Sequence, residues 1–220
     1  MKNATDARRP LKVRDAGLAK SVARSLSQKN ITPNQISIIS VLFAALGAAC
    51  LLLSGRYSGV TAMVLLLLAA LAIQLRLLCN LFDGMVAVEG GKSTPSGELF
   101  NDIPDRIADP LLLVAAGYAI SSSGWAAELG WCAGLLAVMT AYVRTLSASI
   151  GAPVNFAGPM AKQHRMAVLT IACVAAAVEA LVSGTQWALL VALLLIVVGS
   201  VITAARRAVA AWRFLEKGDA

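Results

Sequence analysis

Apolar residues fall into six long runs along the chain, and charged residues gather mainly at one set of their ends. The runs cover residues 36–54, about 60–81, 107–120, about 129–147, 166–182 and 187–204. They are rich in Ala and Leu and lack any alternation of period two, so they predict helices rather than strands. Gly55 and Gly59, the stretch 121–124, and Gly184 separate them with turn chemistry. A helix rises about 1.5 Å per residue, so roughly 20 apolar residues cross a hydrocarbon layer about 30 Å thick. The pattern therefore predicts an all-α membrane protein with six transmembrane helices. Ahead of the first run, Leu18, Val22, Ala23 and Leu26 share one helical face, with Lys20, Arg24 and Lys29 mostly elsewhere. That predicts a basic amphipathic helix lying on the membrane surface. Residues 1–16 read as a charged tail, 17–205 as the transmembrane domain and 206–220 as a cytoplasmic tail.

Composition agrees. Of 220 residues, 58% are hydrophobic and 14% charged, where a soluble protein carries about 25% charged. A soluble domain of this size has too little interior to hide so much apolar surface. The net charge of +7 could point to nucleic acid, but its distribution records topology instead. Eighteen of the 19 lysines and arginines fall on one side of the six runs, and Arg56 alone falls on the other. The positive-inside rule then puts both termini in the cytoplasm, which needs an even number of spans. The N-terminus is charged and has no apolar core nearby, so no secretory signal is read there. Cys50, Cys79, Cys132 and Cys173 lie one each in four different runs. Their spacing fits neither zinc nor a redox pair and predicts small buried apolar residues.

Ionisable residues inside spanning segments are costly and usually functional. Here they cluster where the second run ends and the third begins. Arg76, Asn80, Asp83, Gly84 and Ala87 stand on one side of the connection; Gly97, Asn101, Asp102, Asp105, Arg106 and Asp109 stand on the other. Asn80 and Asp83 share a helical face, and so do Asn101, Asp105 and Asp109. Gly84, Ala87 and Gly97 are small enough to let helices or a ligand come close. Oxygen ligands from two neighbouring helices suit Mg²⁺ or Mn²⁺ bound together with a phosphate-bearing substrate. Such metals neutralise a pyrophosphate and help a nucleotide leave. The plain alternative is that these residues satisfy one another or cap helices at the interface, Asn101 or Asp102 being suited to a cap. Arg76, one turn before Asn80, either pairs with an acidic neighbour or reaches a phosphate, and the sequence leaves both open.

These residues resemble the signature of the CDP-alcohol phosphatidyltransferase family, D-x2-D-G-x2-A-R-x8–12-G-x3-D-x3-D. Asn80, Asp83, Gly84, Ala87, Val88, Gly97, Asn101 and Asp105 keep its spacing throughout. Asn80 and Asn101 stand at its first and third Asp positions, and Val88 at its Arg position. The stretch from Ile31 to Ser37 resembles the Pro-Asn-x-x-Thr motif that opens the family's first helix, with Ser37 in place of Thr. The resemblance covers roughly residues 17–205. It implies transfer of a phosphatidyl group from CDP-diacylglycerol to an alcohol acceptor, with release of CMP, by a homodimer in a bacterial cytoplasmic membrane. It implies two divalent metals, Mg²⁺ or Mn²⁺, with Asp83 as bridging ligand and Asp105, Asn80 and Asn101 as the others. It implies Asp105 as the base that deprotonates the acceptor, and Gly84, Ala87, Gly97 and Asn34 as nucleotide-binding residues. It also implies that Arg144, Lys162 and Arg165 face phosphate or acceptor groups.

The departures have a physical consequence. Two amides in place of carboxylates remove two negative charges from a site for two dications, so metal affinity should fall. Three outcomes are open: a single metal suffices, Asp102 or Asp109 compensates, or the site is inactive. The competing expectation is thus a catalytically inactive relative that binds a nucleotide-lipid or a partner protein. A transporter is the weakest reading, since no internal repeat or pair of broken helices is visible.

Overall fold

The computed structural model describes residues 17–217 except 30 and 93, so the charged tail read over residues 1–16 lies outside the described residues. Among these residues seven helices follow one another: α1 (Gly17–Gln28), α2 (Pro33–Ser54), α3 (Gly59–Glu89), α4 (Gly97–Ala119), α5 (Ala126–Ser149), α6 (Lys162–Val182) and α7 (Trp187–Glu216). Among the described residues there is no strand. Five of the helices, α2, α3, α5, α6 and α7, are long and apolar enough to cross a membrane. They mark the chain as an integral membrane protein. The α4 helix has the length, at 23 residues, but Glu98, Asp102, Asp105, Arg106 and Asp109 load its first half.

The helices outrun the apolar stretches that announce them. The α3 helix continues from about residue 81 to Glu89, α4 begins at Gly97 instead of 107, and α7 runs through the expected tail to Glu216. Apolar patterning marks only the part of a helix that lipid or core covers, and good helix formers carry the backbone further. The 31 residues of α3 span roughly 46 Å at about 1.5 Å each, well over the hydrocarbon thickness. The polar motif therefore sits on the last turns of α3 and the first turns of α4.

Contacts between the helices close a ring in the order α2, α3, α6, α7, α5, α4. Its interior is lined largely by alanine, with Ile73, Leu112, Leu113 and Leu193 filling between. Small residues let helices approach closely in a membrane, where packing rather than hydrophobicity drives association. Gly117 of α4 and Gly130 of α5 show the limit of that approach. A Cβ on Gly117 would lie 2.5 Å from the Ala126 carbonyl oxygen and 2.9 Å from the Gly130 Cα. Backbone cannot move aside as a side chain can. Gly117→Val is therefore expected to cost stability at the upper end of the usual overpacking range of about 1–3 kcal/mol. A lower thermal midpoint for the variant in detergent checks this, and an unchanged midpoint counts against it.

The α1 helix packs on the polar-motif end of α3, where Ala23 meets a small cluster of Ile36, Leu81, Met85 and Val86. Cys50 and Cys173 are buried as expected, Cys79 is half-buried, and Cys132 is exposed on the bundle surface. A weakly polar thiol suits a lipid-facing position as well as a core one.

Candidate active site

The site assembles where α2, α3, α4 and α6 meet at one end of the ring. The α2 helix starts cleanly. Thr32 caps it by accepting from the Gln35 amide while its own amide donates to Gln35 Oε1, and Pro33 opens the first turn. This fixes the first turns of α2, including half-buried Asn34 and buried Ser37. Ser37 Oγ donates to Asp83 Oδ2 at 2.7 Å, and the Gly84 amide donates to Asp83 Oδ1. Asp83 is only 3% exposed, so these bonds replace water that burial has removed.

Asp105 of α4, also buried, faces α3 and the start of α6. Its Oδ1 accepts from Asn80 Nδ2 at 2.7 Å and from Arg76 Nη2 at 2.8 Å. Its Oδ2 is paired with Lys162 Nζ from the start of α6. Asp83 is within electrostatic reach of both Lys162 and Asp105. One turn along α4, Asp109 pairs through Oδ1 with Arg76 Nη2 at 2.6 Å and accepts through Oδ2 from Arg165 Nη2 at 3.0 Å. Arg76 is fully buried and bridges the two carboxylates. The chain Asn80, Asp105, Arg76, Asp109, Arg165 thus ties α3, α4 and α6 together.

A second network holds the loop before α6. Arg165 Nη1 donates to the Met160 carbonyl at 2.9 Å and to Thr140 Oγ1 at 3.1 Å. Arg207 of α7 donates to the carbonyls of Thr140, Phe156 and Ala157. Thr203 Oγ1 accepts from the Met160 amide at 2.9 Å. Gly158 (φ 137°) passes so close to Thr203 that a Cβ would fall 2.4 Å from its methyl group. These contacts set the start of α6, and with it Lys162, against Asp105.

At the rim, Asp102 Oδ1 accepts from Arg106 Nη2 at 2.8 Å and Arg144 Nη2 at 2.9 Å. The Arg144 guanidinium also lies 5.3 Å from the centre of the Phe156 ring. Asn101 is exposed one turn before Asp105, and Gly84, Ala87 and Gly97 are half-buried along the same two helix ends. Val88 is exposed. Sequence reasoning placed Asp83, Asp105 and Asn80 in one site but missed the Ser37 bond to Asp83 and the bracing by Thr140, Thr203 and Arg207. Ser37 carried a signal, since it occupies the hydroxyl position of the α2 opening motif. Arg207 carried none, because it reads as one more cation of a basic tail.

Among the described residues, no three His, Cys, Asp or Glu side chains come together as a metal group. The oxygen donors that remain, the carboxylates of Asp83 and Asp105 with the amide oxygens of Asn80 and Asn101, are hard ligands of the kind Mg²⁺ and Mn²⁺ take. The donor chemistry fits such an ion.

This ring of helices is a fold already seen in solved structures. Three solved structures of phosphatidylinositol phosphate synthase from Mycobacterium tuberculosis share it, each at 21% sequence identity. The structure with CDP-DAG bound matches with a TM-score of 0.73 over 90% of this chain and 94% of that one. The complex with manganese and citrate matches at 0.72 over 88% of each chain. The apo form matches at 0.69 over 87% of this chain and 95% of that one. These neighbours are members of the CDP-alcohol phosphatidyltransferase family. No protein-family model matches the chain, and no curated protein sequence does.

Proposed function

We propose that the chain is a CDP-alcohol phosphatidyltransferase. It moves the phosphatidyl group of CDP-diacylglycerol to the hydroxyl of an alcohol, yielding a phospholipid and CMP. One observation carries the reading: Asp83 of α3 and Asp105 of α4, separate in sequence, lie buried within electrostatic reach of each other in a fold that also serves a phosphatidylinositol phosphate synthase.

In this account Asp105 is the base. It takes the proton of the acceptor hydroxyl, the oxygen attacks the lipid-side phosphorus of the diphosphate, and the bond to the bridging oxygen breaks as CMP departs. Asn80 orients the Asp105 carboxylate, and Lys162 leaves it for a substrate phosphate as substrate enters. Asp83, with Asp105, Asn80 and Asn101, would hold a Mg²⁺ or Mn²⁺ ion, which would neutralise charge on the diphosphate. Gly84, Ala87, Gly97 and Asn34 border the nucleotide. Arg144 and Lys162, whose side chains are 23% and 25% exposed, are the cations that meet an acceptor phosphate. Arg165, 2% exposed, serves the same group through Asp109 and the Met160 loop.

The membrane arrangement follows from the same reading. The α4 helix is the sixth span, its charges masked by partners from α3, α5 and α6. The α1 helix lies on the cytoplasmic surface, both termini face the cytoplasm, and the protein works as a homodimer in a bacterial cytoplasmic membrane. Residues 17–205 form the catalytic unit. Retention of labelled CDP-diacylglycerol by purified protein in detergent tests the reading. Binding that needs Mg²⁺ or Mn²⁺ supports it, and no binding with either metal sinks it. Metal-independent binding without CMP release supports instead an inactive relative that holds a nucleotide-lipid.

A further inference from the structure

The charges around Asp105 balance before any metal arrives. Asp83, Asp105 and Asp109 contribute three formal negative charges, and Arg76, Lys162 and Arg165 contribute three positive ones. Five of the six are joined by direct ion pairs and Asp83 stands within electrostatic reach of Lys162 and Asp105; Arg76, Arg165, Asp83 and Asp109 are at most 3% exposed. A diphosphate diester brings one negative charge on each phosphate. A single dication then returns the loaded centre to neutrality. A second dication would leave two positive charges uncompensated in a poorly solvated site, which is strongly unfavourable.

Arg76 has the position to stand in for that second ion. Its Nη2 contacts both Asp105 and Asp109, bridging carboxylates from two turns of α4 as a metal would. Its Nε and Nη1 are buried without hydrogen-bond partners among the described residues. A guanidinium kept in place with two donors unsatisfied is retained for its charge rather than for a complete set of bonds. Asn80 and Asn101 are neutral, so the site offers less charge to a second ion. Asn80 even donates to Asp105, a bond that an aspartate there could not make in its ionised form.

We propose that this centre holds one divalent cation per chain, with the Arg76 guanidinium taking the place of a second. The inference rests on the phosphatidyltransferase reading above but has its own test. Purified protein in detergent is titrated with Mn²⁺, with and without CDP-diacylglycerol and with no acceptor alcohol, and bound Mn²⁺ is counted by electron paramagnetic resonance. The wild-type chain is expected to bind about one Mn²⁺ with CDP-diacylglycerol present. The Asn80→Asp/Asn101→Asp variant is expected to bind about two, with the first held roughly tenfold tighter or more. Two Mn²⁺ on the wild type overturns the proposal and leaves the transferase reading standing. A variant that still binds one, while remaining monodisperse, also overturns it. No Mn²⁺ on the wild type even with CDP-diacylglycerol overturns both.

Discussion

Asp109→Leu is expected to destabilise the protein by about 3–5 kcal/mol, the usual cost of removing one partner from a buried ion pair. Asp109 is 2% exposed and pairs with Arg76 and Arg165, themselves 0% and 2% exposed. Taking away the carboxylate leaves two guanidinium groups facing each other without their counter-ion. Arg76 keeps Asp105, but Arg165 keeps only neutral partners, Thr140 and the Met160 carbonyl. The double variant Asp109→Leu/Arg165→Leu should lose less than the two single losses added together, because the stranded cation goes with its partner. Unfolding followed by tryptophan fluorescence in detergent measures all of these. An Asp109→Leu loss under about 1 kcal/mol, the scale of an exposed pair, contradicts a buried junction.

Asp105→Asn separates chemistry from architecture. The amide can still accept from Arg76 and Asn80 through its oxygen, so the junction between α3 and α4 should persist. A general base lost in this way lowers turnover by roughly 10²–10⁴-fold. Affinity for CDP-diacylglycerol should change much less, since Asp83 and the small residues proposed to border the nucleotide remain. A variant that turns over normally removes Asp105 from the proton transfer. One that unfolds assigns it to structure, and comparison with Asp105→Ala then shows whether the carboxylate's shape or its charge is required.

Much of this arrangement is legible along the chain, for identifiable reasons. Five apolar runs announce spanning helices because lipid demands long uninterrupted apolar faces. The α4 helix is harder to read, since it begins inside the polar motif and contains Pro104 and Pro110. Spacing alone places Asn80 with Asp83, and Asp105 with Asp109, because three and four residues return a helix to the same face. What spacing cannot give is which of these faces a partner from another helix. Arg76 illustrates the gap: the sequence offers pairing or phosphate contact, and the structure shows it paired with Asp105 and Asp109. Asp102 likewise has the residue type of a helix cap, yet it pairs with Arg106 and Arg144. The bracing bonds of Arg207 and Thr203 lie beyond any local pattern, since they reach residues more than 40 positions away in the chain.

The central claim is that the junction of α3 and α4 performs phosphatidyl transfer. CMP release from CDP-diacylglycerol, by purified protein with Mg²⁺ or Mn²⁺ and a panel of alcohol acceptors, tests it most directly. The account predicts acceptor-dependent CMP release that Asp105→Asn removes, and the acceptor that supports it names the product. CMP release that Asp105→Asn leaves unchanged, or none with any acceptor from protein that binds CDP-diacylglycerol, contradicts it.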